Sequence, residues 1–234
     1  MSSMTPLAWV GLGVGFLVAA IAPAFLRPVL TTLGVIDVPN ERSSHVRPTL
    51  RGTGLGALAG VIVGGIVMAF GFRGTGGVPM FVAVISISVV MGLVGLAEDI
   101  RQLNVAVRAG SQFLLGLVAS IWLGSLVGAH WWLVALGALF FTAYVNFANF
   151  MDGINGISSL HGVVAGGAFA VMGAVTSNGW LGGAGLLTAV VLAAFLPWNL
   201  IPPGMFLGDV GSYLLGALIA TTAIAAAFAG IPLL

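Results

Sequence analysis

Residues Trp131 to Val175 read WWLVALGALFFTAYVNFANFMDGINGISSLHGVVAGGAFAVMGAV, which is two apolar stretches separated by a short polar segment. Each apolar stretch approaches the length of about twenty residues that an α-helix needs to cross a bilayer core. The polar segment contains an Asp-Gly step, Asp152-Gly153, of the kind that marks turns. This stretch therefore predicts two transmembrane helices joined by a polar turn.

The same alternation of apolar stretches and short polar segments extends over the whole 234-residue chain, whose mean hydropathy is +1.17. Charged residues make up 6% of the chain, whereas a soluble domain carries about a quarter. We therefore predict an all-α, polytopic membrane protein that forms a single integral-membrane domain over residues 1–234. The eight predicted spans are Pro6–Leu26, Gly52–Phe72, Val78–Ala97, Ala109–Val127, Trp131–Ala148, Ile157–Thr176, Leu181–Pro197 and Ser212–Ala229.

Glycines in G-x-G and small-xxx-small spacings occur inside several spans, for example in GLGVGF and GVVAGGAFA. Within an apolar helix this spacing is typical of close helix packing rather than of a nucleotide-binding loop. The chain has no cysteine, which excludes disulfides and metal sites with cysteine ligands. It also has no basic block of the kind that indicates nucleic-acid binding.

The charged residues are distributed unevenly between the two sets of loops. With eight spans, the loops after the first, third, fifth and seventh span hold every arginine except Arg73. Loops rich in arginine stay in the cytoplasm, so both termini are predicted to lie outside, in the periplasm. Because ionisable residues at membrane borders are costly and usually functional, acids that share one side predict a single polar site at the cytoplasmic surface. The acids on that side are Asp37, Glu41, Glu98, Asp99, Asp152 and Asp209.

Three polar residues in the opening stretch, Asn146, Asn149 and Asp152, follow one another at intervals of three. On a helix this spacing places them on one arc roughly 120° wide. Asparagine amides suit the edge of a nucleobase or a sugar, and Asp152 suits a hydroxyl, a ring N–H or a metal. The alternative is a capped helix–turn–helix corner in which Asp152 or Asn155 is the N-cap. Three such residues on one arc favour the binding site.

Two further segments carry carboxylates at span ends. GLAEDIRQL ends the third span with adjacent acids, Glu98 and Asp99, which either hold a divalent cation or simply solvate the helix end beside Arg101. MFLGDVGSYLLG places Asp209 at the entry to the eighth span, where it either caps the helix or binds Mg²⁺. The basic side chains of the long first loop, DVPNERSSHVRPTLRGTGLG, predict that it binds phosphates or anionic lipid. These basic residues are Arg42, His45, Arg47 and Arg51.

Taken in order, DVPNERSSHVRPTLRGTG, GLAEDI, NFANFMDGINGI and FLPWN with FLGDVGSYLLG resemble the motifs of the polyprenyl-phosphate N-acetylhexosamine-1-phosphate transferases. The resemblance extends from about Asp37 to Gly216, and PNERSSH and NFMDGI are closer to the O-antigen (lipopolysaccharide) branch than to the peptidoglycan enzyme. It implies transfer of N-acetylhexosamine-1-phosphate from a UDP-sugar to undecaprenyl phosphate, giving undecaprenyl-diphospho-sugar and UMP. Mg²⁺ is the implied cofactor, with Mn²⁺ as a substitute.

The resemblance also implies a multi-pass protein of the bacterial inner (plasma) membrane with its active site on the cytoplasmic face, and it leaves room for a homodimer. Asp209, together with Asp99, is expected to bind the metal, and Glu98, Asp99 and Asp152 are expected to be catalytic. We favour direct attack by the lipid phosphate, with Asp99 assisting or positioning. The residues expected to bind substrate are Asn146 (from the helical arc), Asn149, Gly153, Asn155, Asn199, Phe206, Arg42 and His45.

Three departures from the family pattern qualify the expected activity. Glu98 stands where the family usually has aspartate, and Thr53 interrupts the usual Gly-Gly of the first loop. The family normally continues with further spans and a histidine-rich loop, which this chain is expected to lack after Leu234. The alternative function is therefore a catalytically weakened homologue that binds polyprenyl phosphate or nucleotide-sugar without turnover. A transporter is disfavoured because the acids lie at span ends and no internal repeat is evident.

Overall fold

The computed structural model describes residues 4–32, 36–37, 49–201 and 204–232. Within these ranges the chain forms eight α-helices and two short antiparallel strands. The helices are α1 Pro6–Thr32, α2 Leu55–Gly71, α3 Val78–Arg101, α4 Val105–Val127, α5 Trp131–Met151, α6 Ile157–Val175, α7 Gly179–Leu200 and α8 Gly208–Phe228. The strands are β1 Ile36–Asp37 and β2 Thr49–Leu50.

Each predicted span coincides with one of these helices, which confirms the all-α, polytopic fold. Seven of the helices in the described ranges are long and apolar enough to cross a membrane, and α2, with 17 residues, is shorter. Several helices continue beyond the predicted spans at the end that carries the acids. The reason is that hydropathy falls as soon as polar side chains begin, whereas the helix continues while its backbone hydrogen bonds are satisfied.

Helix α8 lies at the centre of the bundle and is buried on almost all sides. Its sequence after Asp209 consists almost entirely of apolar and small residues, as expected for a helix surrounded by other helices. Within this apolar environment Ser88 of α3 and Thr221 of α8 form a hydroxyl–hydroxyl hydrogen bond of 3.2 Å. The outer helices instead expose large apolar side chains, such as Phe25 and Val164, a surface typical of contact with lipid.

Small residues bring neighbouring helices close together, which confirms the packing interpretation of the glycine spacings. A Cβ on Gly15 of α1 would lie 3.1 Å from the Gly60 carbonyl oxygen of α2. A Cβ on Gly166 of α6 would lie 2.7 Å from the Gly185 carbonyl oxygen of α7. Without glycine at these positions the helix backbones could not approach so closely.

At one end of the bundle, the segment before α2 is attached to the segment before α8. Leu50 forms a parallel bridge with Met205, and the Leu50 carbonyl accepts a 2.9 Å hydrogen bond from the Phe206 N–H. The fully buried Thr53 donates its hydroxyl to the Phe206 carbonyl at 2.8 Å. Thr53, the departure from the family's glycines, therefore has a structural role here. These bonds fix the backbone around Arg51 next to the start of α8.

Candidate active site

Two carboxylates from distant parts of the sequence share one cation at this end of the bundle. A single guanidinium nitrogen of Arg51, Nη2, lies 3.1 Å from Asp99 Oδ1 and 3.1 Å from Asp209 Oδ2. Asp99 comes from the last turn of α3 and Asp209 from the first turn of α8. Because an opposite charge stabilises ionised carboxylates, the Arg51 guanidinium allows the two acids to lie close together.

The Asp99 carboxylate anchors the beginning of α8. Its Oδ1 accepts a 3.1 Å hydrogen bond from the Asp209 N–H, and its Oδ2 accepts a 2.9 Å bond from the Val210 N–H. The first N–H groups of a helix have no partner within the helix and carry partial positive charge, so a carboxylate is a favourable partner. The side chain of Asp99 is only 1% exposed. Asp99 therefore fixes the place and direction of Asp209.

Two glycines allow this close approach. A Cβ on Gly95 of α3 would overlap the Asp209 carbonyl oxygen. Gly208 has a φ of +72°, and a Cβ there would lie 2.8 Å from Asp99 Oδ2. A side chain at either position would push α3 and α8 apart, and at Gly208 it would also be strained by the positive φ.

Asp209 is the more accessible of the two acids, with a side chain that is 16% exposed. Asn149 of α5 orients it by donating from Nδ2 to Asp209 Oδ1 at 2.6 Å, and the same nitrogen lies 3.0 Å from Ser212 Oγ. Asn149 thus joins the carboxylate cluster, as the sequence leads one to expect.

Asn146, by contrast, is directed to another part of the bundle. Its Nδ2 donates to Oε1 of Gln112 in α4 and to the Thr142 carbonyl. A step of three residues rotates a helical position by about 60°, which is enough to move a side chain from one neighbouring helix to the next. The structure therefore does not bring Asn146 to the Asp209 cluster.

The adjacent acids Glu98 and Asp99 also have different partners. Glu98 Oε2 accepts a 3.0 Å hydrogen bond from the Leu103 N–H, and its Oε1 lies 3.4 Å from Nη1 of Arg108. Consecutive helical residues point about 100° apart, so Glu98 stabilises the turn between α3 and α4 whereas Asp99 faces α8. The expected pair of neighbouring acids is thus replaced by a pair from two helices, Asp99 and Asp209.

Asp152 provides a third carboxylate close to this pair. It directly follows the last residue of α5, and its carboxyl is surrounded by protein although part of the residue is exposed. Burial raises the pKa of Asp152 to about 7, and the negative charges of Asp209 and Asp99 act in the same direction. Asp152 is therefore close enough to the other two acids for their charges to influence one another.

The stability of the protein should depend on pH through Asp152. Since its folded pKa of about 7 lies above the ordinary value of 3.8, the folded state retains a proton that the unfolded state releases. The contribution of Asp152 to stability therefore falls as the pH rises from 3.8 to about 7 and is constant above that range. Asp152→Asn cannot ionise and lacks this loss. We therefore expect the Tm of Asp152→Asn minus the Tm of the natural protein to increase as the pH is raised from about 5 to about 8. A difference in Tm between the two proteins that does not change with pH would contradict this.

Asn199 joins the two loops that lie beside the acids. Its Oδ1 accepts a 2.6 Å hydrogen bond from the Gly156 N–H, and its Nδ2 donates to the Met205 carbonyl at 2.8 Å. The residue is almost fully buried. These contacts show Asn199 holding the α5–α6 loop against the α7–α8 loop.

Asn199→Ala is expected to destabilise the protein, because it leaves a buried backbone N–H and a buried carbonyl without partners. Each such group costs about 1–3 kcal/mol, so the Tm measured in detergent should fall by roughly 5 °C or more. Asn178→Ala is the matched control, since the Asn178 side-chain amide donates to Thr176, at the opposite end of α7. Equal Tm changes in the two variants would contradict the joining role of Asn199.

The remaining expected substrate-binding residues lie on the loops that Asn199 connects, or outside the described residues. Gly153 and Asn155 are exposed on the α5–α6 loop, and Phe206 is half-buried just before α8. The Asn155 amide nitrogen would lie 3.7 Å from a Cβ on Gly204, so the two loops meet at Asn155. Arg42 and His45 lie outside the residues that the structure describes.

Two members of the cluster are not singled out by the sequence. Arg51 is one of four basic residues in the first loop, and nothing in its local sequence distinguishes it from Arg42 or Arg47. Ser212 follows Asp209 at a helical spacing of three, which does place both on one face of α8. The contact of Ser212 with Asn149 could therefore have been anticipated, whereas the contact of Arg51 with the acids could not.

A family model described as glycosyl transferase family 4 matches residues 81–227, well over half of the chain. The matched region includes Asp99, Asn149, Asp152 and Asp209. The chain belongs to glycosyl transferase family 4.

Several relatives carry the name phospho-N-acetylmuramoyl-pentapeptide-transferase. The protein of Clostridium botulinum (strain Eklund 17B / Type B) is 28% identical over 157 residues, which cover 58% of this chain and 48% of the relative. That of Streptococcus pyogenes serotype M18 is 27% identical over 212 residues, which cover 81% of this chain and 62% of the relative. The chain thus spans between about half and about three fifths of the length of these relatives.

The cluster in this family 4 chain has a donor set that fits a divalent cation. Among the residues that the structure describes, no group of three or more His, Cys, Asp or Glu side chains is arranged as a complete metal cage. Asp99 and Asp209 nevertheless both contact the single cationic group of Arg51. Mg²⁺ is usually bound through one or two carboxylates and completed by substrate phosphates. Asp99 and Asp209, of which Asp209 is the more accessible, are therefore the residues that would hold such an ion.

Proposed function

We propose that this family 4 protein transfers N-acetylhexosamine-1-phosphate from a UDP-sugar to undecaprenyl phosphate, releasing UMP. The observation that carries the proposal is the convergence of Asp99 and Asp209 on one cation position at a single end of a membrane bundle. A polyprenyl phosphate reaches such a site laterally through the bilayer, and a nucleotide-sugar reaches it from water. The relatives named phospho-N-acetylmuramoyl-pentapeptide-transferase support transfer of a phosphosugar.

In the proposed reaction, an oxygen of the lipid phosphate bonds to the phosphorus that carries the sugar. The bond between that phosphorus and the bridging oxygen breaks, and UMP leaves with the electron pair. A phosphate monoester has its second pKa near 6, so the nucleophile is largely dianionic at neutral pH and hardly needs a general base. This supports direct attack, with Asp99 acting through the position of α8 rather than by accepting a proton.

The chain's own residues hold the reacting groups. Asp209 is placed by the contact of its N–H with Asp99 and is oriented by the amide of Asn149. Both acids would hold Mg²⁺, for which Mn²⁺ substitutes; when bound, the ion neutralises the charge that accumulates on the diphosphate. Gly153, Asn155 and Phe206, on the loops joined by Asn199, would contact the uridine nucleotide, and Asp152 would contact its hydroxyl or ring N–H groups.

The arginine distribution supports placing this end of the bundle at the cytoplasmic face of the bacterial inner membrane. The wording of PNERSSH and NFMDGI supports a place at the start of an O-antigen type glycan pathway. In that setting the donor is a UDP-N-acetylhexosamine and the lipid product enters envelope glycan synthesis.

The test is release of labelled UMP from UDP-N-acetylhexosamines by the purified full chain in detergent. Release should require Mg²⁺ and undecaprenyl phosphate together, and should stop when either is omitted. A chain that is folded but inactive with all common UDP-N-acetylhexosamines in the presence of both would overturn the proposal.

One observation favours the second candidate, a homologue that binds without turnover. Arg51 already bridges the two carboxylates, and a guanidinium that stayed there would exclude a metal ion from the space between them. This candidate expects UDP-sugar binding, measured by calorimetry, that is independent of Mg²⁺ and is not followed by UMP release.

A further inference from the structure

We infer that Tyr144 of α5 and His161 of α6 form a binding site for the phosphate of the lipid substrate, in a cleft between these helices that opens to the bilayer. The inference rests on the proposed function, because it takes a polyprenyl phosphate as the lipid that approaches the cluster. It gives the lipid phosphate a place of its own, separate from the carboxylates that would hold the metal.

Tyr144 and His161 form a hydrogen-bonded and stacked pair between two helices. The Tyr144 hydroxyl lies 2.8 Å from His161 Nε2, and the two ring centroids are 6.1 Å apart. Both residues are half-buried. Among the residues that the structure describes, neither side chain has a second hydrogen bond or an ion pair. An ionisable residue within a transmembrane helix is costly and usually functional, so His161 is expected to have a role beyond packing.

The pair keeps one hydrogen-bond donor free, whichever group donates in the shared bond. A neutral imidazole carries one N–H and a phenol carries one O–H. When the Tyr144 hydroxyl donates to Nε2, the proton of His161 is on Nδ1, and when Nε2 donates, the Tyr144 proton is left over. A free donor in an apolar environment is costly, whereas the charged oxygens of a phosphate are strong acceptors. The pair therefore suits a phosphate oxygen.

The cleft exists because α6 packs against α7 rather than against α5. A Cβ on Gly162 of α6 would lie 2.7 Å from Cγ of Leu192 in α7, so the small residues of α6 face away from α5. As a result α5 and α6 contact each other at few points, although they follow one another in the chain. Phe147 of α5 and Val164 of α6 are both exposed. A lipid chain can therefore reach the Tyr144–His161 pair without leaving apolar surroundings.

The pair lies close to the carboxylate cluster, on the membrane side of it. Asn149, which orients Asp209, follows Tyr144 by five residues along α5, a rise of roughly 8 Å. His161 follows the first residue of α6 by four residues, a rise of about 6 Å from the α5–α6 loop. A phosphate held by the pair is thus about one helical turn from the polar loop, while its polyprenyl chain stays in the bilayer.

The experiment measures the equilibrium binding of radiolabelled undecaprenyl phosphate, and of undecaprenol, to the purified full chain in detergent. Undecaprenol has the same chain without the phosphate, and the natural protein should bind it more weakly. The double variant Tyr144→Phe/His161→Phe keeps both rings but has no donor. Its Kd for undecaprenyl phosphate should rise about tenfold or more, which is typical of losing a hydrogen bond to a charged group. Its Kd for undecaprenol should change by less than about threefold.

His161→Gln tests whether the hydrogen bonds, rather than the rings, hold the phosphate. Glutamine has a carbonyl that accepts from the Tyr144 hydroxyl and an amide N–H that is left over, so the Kd for undecaprenyl phosphate should stay within about threefold of the natural value. Thr142→Val is the matched control, because it removes a hydroxyl from the same helix that already donates to the Ala138 carbonyl at 2.9 Å. It should leave the Kd of both lipids unchanged.

A measurement on the natural protein carries the test if the double variant does not fold. Diethylpyrocarbonate modifies histidine side chains, and the extent of modification at His161 can be read by mass spectrometry of the peptide. Undecaprenyl phosphate should slow this modification more than undecaprenol does at the same concentration. Equal protection by the two lipids would show that the chain alone covers His161, and would overturn the phosphate site.

The outcomes separate this inference from the proposed function. If the double variant binds undecaprenyl phosphate as tightly as the natural protein, or loses affinity for undecaprenol to the same extent, the phosphate site is overturned while the proposed function stands. If phosphatidic acid competes equally with undecaprenyl phosphate, the assignment to the polyprenyl substrate is overturned. If the natural protein neither prefers undecaprenyl phosphate to undecaprenol nor releases UMP, the transferase itself is overturned, and the inference with it.

Discussion

Asp209→Asn is expected to reduce UMP release by roughly 100- to 1,000-fold or more, while the protein remains folded. Removal of one group that stabilises transition-state charge typically costs this much. Asparagine has nearly the same shape and keeps an oxygen that can accept the hydrogen bond from Asn149. The Asp209 backbone N–H also keeps its contact with Asp99, so the start of α8 should not move. What the variant loses is the accessible negative charge.

The measurement is kcat for UMP release at saturating UDP-sugar and undecaprenyl phosphate, together with Tm and Mn²⁺ affinity. The Tm should change by only a few degrees, whereas Mn²⁺ binding in the presence of UDP should weaken along with activity. Activity within about tenfold of the natural protein would remove Asp209 from the metal site and with it the main support for the proposed function.

Asp99→Ala is expected to lower stability and activity together. It leaves the Asp209 and Val210 N–H groups of α8 without the carboxylate that accepts from them, and Arg51 loses one of its carboxylate contacts. Each buried N–H group left without an acceptor costs about 1–3 kcal/mol, which for a chain of this size corresponds to a fall in Tm on the order of 10 °C. Activity should also fall sharply, since Asp209 is no longer held in place.

Glu98→Ala is the control for Asp99→Ala, because it removes the acid next to Asp99 in the sequence without removing a contact to α8. Glu98 is adjacent to Asp99 but contacts Leu103 and Arg108 on the α3–α4 turn. We expect a smaller loss of activity than in Asp99→Ala, because Asp209 keeps its anchor. An Asp99→Ala variant that is inactive but as stable as the natural protein would show that Asp99 contacts the reacting atoms, rather than acting through the position of α8.

Much of the fold and part of the site could be predicted from local sequence. Apolar stretches of membrane-crossing length specify the helices, because every lipid-exposed backbone group must be satisfied within its own segment. The polar ends of these stretches then indicate which residues meet at the membrane border. Asn149 and Asp209, at the ends of α5 and α8, do lie together in the structure.

The partners within the site could not be predicted in this way. Neighbouring positions such as Glu98 and Asp99, or Asn146 and Asn149, have similar local sequences but face different helices. A rotation of about 60–100° around the helix axis decides which neighbour a side chain reaches, and that neighbour is set by the packing of the whole bundle. Asn199, although its residue type suits a ligand, forms hydrogen bonds to two loop backbones instead.

The sequence by itself determined that the chain forms a set of apolar helices of membrane-crossing length, and it predicted that the carboxylates lie at the ends of these helices on one side. Hydropathy and helix length are properties of contiguous residues, so they can be evaluated without knowing what lies beside each helix. Only the tertiary structure decided that Asp99 anchors α8, that Asp209 is the accessible acid, and that Arg51 stands between them. Those relations join residues 48, 110 and 158 positions apart, and their distances depend on how the helices and loops pack together.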